Sequence, residues 1–225
     1  MNAIDYKIKK IADKIYAVIV PDFYDRAMLF VRPQEFYESP HSKYRNKSFC
    51  IFEFMKWYSL QEDRFGAFTY ADDWGGFNIP FDVAVECYKK CDMQTPYDTI
   101  FNIDILGSIN DNGSYIIGID DTDTGLYDHE LAHALYHTNK EYKKEMLLNI
   151  KMLPDNMVDE INKHLKEIGY TSKVYDDEIQ AYLSSYSLTS NYFNNVPKVA
   201  LRHYRKLFSI IFKKYKKLHV SDFSL

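Results

Sequence analysis

The chain has 225 residues, 46% hydrophobic and 27% charged, with a formal net charge of −4. That balance excludes a disordered, highly charged chain, and no apolar run approaches the ~20 residues of a membrane-spanning helix. Three cysteines (Cys50, Cys87, Cys91) form no CxxC pair and exclude a disulfide-stapled secreted scaffold, so reduced thiols in a cytoplasmic protein are expected.

The opening stretch, MNAIDYKIKK, is charged and has no apolar h-region, so no secretory signal is expected. DYKIKKIADKIYAVIV reads as a short amphipathic helix running into a strand. DFYDRAMLFVRPQEFYESP mixes apolar runs with Pro33 and is compatible with either state. SFCIFEFMKWYS predicts a helix from Ser48, and GAFTYADDWGGFNIP a strand and a turn. A helix is expected after Asn78. Another opens at Thr95, with Pro96 at its first position and Asp98 three residues after the cap. INDNGSYIIGID is turn chemistry followed by an apolar strand.

Helices dominate thereafter: one from about Gly125 to Thr138, then two more, the second opened by Pro154 and closed by Gly169. A short one begins near Asp177, and a long one runs from about Pro197 to Leu218. The expected fold is α+β and helix-rich, with a small sheet whose edge strand precedes the helix at 125–138. With no repeat or linker composition, one domain is the default: residues 1–110 supply the sheet and a cleft wall, and 111–225 the helical part. From Ile179 onward, eight Lys or Arg against the single Asp222 give +7, so the first 178 residues carry −11. A solvated basic face on the last helix is the plain reading, and an acidic partner the functional one; no nucleic-acid motif accompanies the charge.

The stretch DHELAHALYH carries the chemistry. His129 and His133 stand one helical turn apart, so their imidazoles can reach one ion. Glu130, about 100° round the helix, can take a proton from water activated by that ion. His137 lies about 12 Å beyond His129 along a straight helix and cannot share the ion. The strand SYIIGID before the motif would offer an edge on which an extended peptide could pair. A third ligand must come from elsewhere. VYDDEIQAYL offers Glu178 at the start of a helix, or Asp177. His164, on the stripe Met157, Ile161, His164 and Ile168, is a further candidate. It reads more simply as a core histidine, as does His203 on the stripe Val199, His203, Leu207 and Ile210. Asp177 or Asp176 could also orient a ligand histidine.

On HELAH (His129 to His133) and DEIQAYL (Asp177 to Leu183) the chain resembles the zincin metallopeptidases. Its likeness is to the gluzincin branch, where a glutamate on a later helix completes the site. The resemblance covers about a quarter of the chain. It implies Zn2+ on His129, His133 and Glu178, Glu130 as general base, and peptide or protein substrates. An oxyanion donor is implied as well; Tyr182, Tyr175, His164 and His203 are candidates, with Tyr182 the first choice. Here His133 and Glu178 are farther apart than in the thermolysin-like pattern, and Tyr182 stands where an acid would follow Glu178 by four residues. A different metal amidohydrolase, or a non-catalytic protein with a zincin-like site, are the other expectations.

Overall fold

A computed structural model of the chain describes residues 4–120, 122–185 and 198–220. The fold is mixed α and β, helix-rich, with one four-stranded sheet. The chain divides into two compact units, residues 1–10 with 16–121 and residues 11–15 with 122–225.

The first unit holds β1 (Lys7–Ala12), β2 (Ile15–Ile19), β3 (Phe77–Pro80) and β4 (Tyr115–Ile119), in the order β1-β2-β4-β3. The tip of the β1–β2 hairpin groups with the second unit, where Ala12 bridges Val220. The opening segment is therefore a hairpin, in place of the expected helix. It turns at Asp13 and Lys14, with Lys14 in the left-handed region at φ 59°.

The strand ahead of the motif helix is interior, which corrects the expected edge strand. β4 lies between β2 and β3, pairing antiparallel with β3 from Phe77↔Gly118 to Pro80↔Tyr115. All five residues of YIIGI are buried, as a central strand covered on both faces requires. β3 is the terminal strand and ends in Pro80, which has no N–H to give a further neighbour.

Helices α1 (Phe23–Glu38), α2 (Ile51–Ser59), α3 (Tyr70–Asp73) and α4 (Phe81–Lys90) complete most of this unit. α1 reads ambiguously in sequence because nearly all of Arg26–Phe36 is buried, leaving no polar face to set a helical period. Its Phe30 ring stacks on Phe77 and meets Phe101 edge-on, with centroids 5.2 and 5.1 Å apart. A Cβ on Gly118 would fall 2.5 Å from the Phe30 ring, so only glycine fits at that point of β4.

The expected capping box is present. Thr95 and Asp98 cap α5 (Pro96–Thr99), which runs through a wider π turn, Ile100–Ile105, into α6 (Leu106–Ile109). The Asp98 carboxylate also meets the buried Arg32 guanidinium, Nε to Oδ1 at 2.6 Å and Nη2 to Oδ2 at 3.1 Å. Cys87 and Cys91 are buried in this unit as free thiols.

The second unit is helical: α7 (Thr124–Thr138), α8 (Lys140–Ile150), α9 (Asp155–Glu167), α10 (Tyr175–Ser184) and α11 (Lys198–His219). α10 packs against the other four. The apolar stripes differ from those expected. α9 buries Met157, Ile161 and Leu165, leaving His164 half-buried and Ile168 exposed. α11 buries Leu201, Phe208, Phe212 and Tyr215, so His203, Val199 and Ile210 face outward. On α11, Lys214 pairs with Glu145 at 2.7 Å and Lys216 with Asp128 at 2.6 Å; Arg202, Lys206, Lys213 and Lys217 are exposed. Among the described residues, no helix is long and apolar enough to cross a membrane.

Candidate metal centre

α7 begins where Asp123 accepts hydrogen bonds from the Gly125 and Leu126 N–H groups, satisfying two donors that a helix start leaves open. From that cap the chain continues unbroken to Thr138, so His129 and His133 fall on one face. Their Nε2 atoms lie 3.2 Å apart. α10 crosses that face and brings the Glu178 carboxylate to 3.8 Å from His133 Nε2. One ligand atom from each of the three residues lies within 4.8 Å of the others, and among the described residues this is the one group placed to hold a metal.

The separations fit an ion. Two nitrogens bound at about 2.05 Å in a tetrahedral arrangement lie about 3.3 Å apart. The observed 3.2 Å between the histidines agrees with that, while the carboxylate stands wider, 3.8 Å from His133 Nε2 within a group that spans up to 4.8 Å, so Glu178 would have to move inward by about an ångström to share the ion. Two imidazoles and a carboxylate are also a donor set that suits zinc.

The outer edges of both rings are fixed by α10. His133 Nδ1 lies 3.0 Å from Asp177 Oδ1 and donates to it, so that the neutral ring, the form that binds a metal, turns its Nε2 lone pair to the cluster. His129 Nδ1 lies 3.4 Å from the Ser185 hydroxyl, which itself donates to the Ala181 carbonyl at 2.9 Å. The electrostatics of the two rings diverge. Burial, then the charge on His133, holds His129 well below the usual histidine range. Burial also pushes His133 down, but Asp177, Glu178 and Glu130 outweigh it and raise this ring well above that range.

The structure thus brings His129, His133 and Glu178 together, with Glu130 buried on the same helix as the histidines and its charge felt at His133. Asp177 joins them as the orienting carboxylate, while Asp176 faces outward. The Tyr182 ring packs on His129 with centroids 4.8 Å apart. His137 is exposed, and His164 and His203 lie outside the cluster. Sequence reasoning missed the Ala181 carbonyl and Ser185. Their one signal is that they stand three and seven residues after Glu178, a helical period on the same strip of α10.

No protein-family model, curated protein or solved structure matches the chain. Fold and site therefore define a class by geometry alone: a helix-rich α+β protein with a buried His-His-Glu cluster on two packed helices.

Proposed function

We propose that the chain is a zinc-dependent metallopeptidase of the zincin kind, with His129, His133 and Glu178 as ligands. The observation that supports this most is the pair of Nε2 atoms 3.2 Å apart facing a buried carboxylate, with a second buried acid, Glu130, on the helix of the histidines. A structural site needs three or four ligands and no base between them. A zinc ion held by this set supplies Lewis acidity to water and to the substrate carbonyl.

The residues supply the rest. Glu130 takes the proton from the attacking water as its oxygen bonds to the carbonyl carbon. It then delivers that proton to the amine nitrogen as the C–N bond breaks. Tyr182, held against His129, is the proposed donor to the developing oxyanion. Asp177 and Ser185 keep both rings oriented.

A second reading, a zinc amidohydrolase acting on a small amide, is favoured by two observations. The four site residues are all below 7% exposed, and β4 offers no free edge for strand pairing. The proposed setting is the cytoplasm, and the exposed basic face of α11 suits an acidic partner.

Glu130→Gln is the test. It is expected to retain zinc while losing about 10²- to 10⁴-fold in hydrolysis rate, the usual contribution of a general base. Unchanged turnover in that variant would overturn the assignment. Profiling against peptide and small-amide libraries separates the two readings.

A further inference from the structure

α10 carries polar side chains into the middle of the second unit, and one of them has no part in the chemistry proposed above. Gln180 is fully buried, two residues past Glu178. Its Nε2 donates to Asp177 Oδ1 at 2.9 Å, the same oxygen that receives His133 Nδ1–H. Its Oε1 accepts from the Tyr142 hydroxyl at 2.8 Å. Tyr142, also fully buried, comes from α8, where Asn139 caps the helix by accepting from the Tyr142 N–H. Its ring is held edge-on against Tyr215 of α11, with centroids 5.3 Å apart.

Chemistry sets the direction of every bond in this chain. An ionised carboxylate only accepts, so the amide face of Gln180 toward Asp177 must be its NH2. The carbonyl of Gln180 then faces Tyr142, whose hydroxyl must donate. Asp177 Oδ1 is held by two donors, and a neutral His133 then has one donor position and one open nitrogen. A buried polar chain of this kind is stable only when every member is satisfied, and this one connects α8 and α10 to a single ring on α7.

We infer that Gln180 and Tyr142 are positioning residues for the metal centre, acting through Asp177 to fix the His133 ring for the ion. The inference rests on the metal-binding part of the reading above, and needs nothing of its hydrolytic part. The tyrosine and glutamine extend the orienting shell to a third layer and bring α8 into the site.

The experiment measures zinc affinity by competition with a chromophoric chelator. The proteins are wild type, Gln180→Met, Tyr142→Phe, Asp177→Ala and the Asp177→Ala/Gln180→Met double variant, each also melted without metal. Gln180→Met keeps the volume and loses the donor, and is expected to bind zinc about 10- to 100-fold more weakly. Tyr142→Phe is expected to lose several-fold. On the Asp177→Ala background, Gln180→Met should cost nothing further, because its path to His133 is already gone.

A merely structural glutamine would lower the melting temperature of the metal-free protein and leave affinity alone. Affinity within about twofold of wild type for Gln180→Met overturns the inference, as does an equal loss with and without Asp177. If Gln180→Met does not fold, Tyr142→Phe alone and with Asp177→Ala decides by the same criteria. A wild-type chain that binds no zinc overturns the metal reading and this inference together. One zinc in wild type with unaffected variants overturns the inference alone.

Discussion

Replacing Asp98 by asparagine removes one charge from the core of the first unit and leaves its partner in place. Arg32 is 1% exposed and Asp98 3%, so neither can turn to water. Besides Arg32, Asp98 Oδ2 accepts from the N–H groups of Gln94 and Thr95 and from the Thr95 hydroxyl. Asparagine keeps an acceptor for that cap but no longer neutralises the guanidinium. Arg32 retains the Phe49 carbonyl at 2.9 Å and Gln94 Oε1 at 3.1 Å, two neutral acceptors for a full charge.

Breaking one side of a buried pair costs about 3–5 kcal/mol, a large part of the ~5–15 kcal/mol that holds a domain folded. At about 3 °C per kcal/mol, the melting temperature should fall by about 10 °C or more. Urea and thermal unfolding followed by circular dichroism measure this. Arg32→Met combined with Asp98→Asn removes the stranded charge and keeps the cap, and should recover most of the loss. A loss below about 1 kcal/mol in the single variant, or a double variant no better than the single, would refute the reasoning.

Glu35 gives a pH-dependent outcome. Burial raises its carboxyl above the ordinary glutamate range, while hydrogen bonds from Ser39 and Tyr70 pull it back. An acid with a raised folded pKa contributes most below its unfolded value and loses that contribution as pH rises through the folded one. Glu35→Gln should therefore gain on wild type between pH 4 and pH 7.5 in urea midpoint; a difference that is flat or falls with pH contradicts this. Gly118→Ala places a methyl against the Phe30 ring and should cost about 1–3 kcal/mol by the same assays. A neutral Gly118→Ala would mean that the ring moves aside freely.

Much of the second unit is legible in sequence because its signals are local. The histidine spacing, the caps and the helical periods each act within a few residues, and they place α7 through α11 close to where they stand. Glu178 and Asp177 are legible for the same reason, as acids in the first turn of a helix. The hairpin at residues 7–19 was hidden because isoleucines at 8, 11 and 15 mimic a helical stripe, and its turn uses a lysine with positive φ. β4 gives no sign of its neighbours, since a run of five apolar residues suits any strand covered on both faces. His203 and Ile210 fit an apolar period, yet the stripe at Leu201, Phe208, Phe212 and Tyr215 buries larger rings and sets the face. The Tyr142–Gln180–Asp177 chain depends on how α8 meets α10, which no local pattern encodes.

The central claim is that α7 and α10 together hold one metal ion. The most direct measurement is elemental analysis for bound metal per chain after metal-free purification and zinc reconstitution, in wild type and in Glu178→Ala. The geometry predicts about one zinc in wild type and a large loss in the variant, because two histidines alone leave the ion half-coordinated. A wild-type chain without zinc, or a variant that keeps it at full strength, would contradict the account.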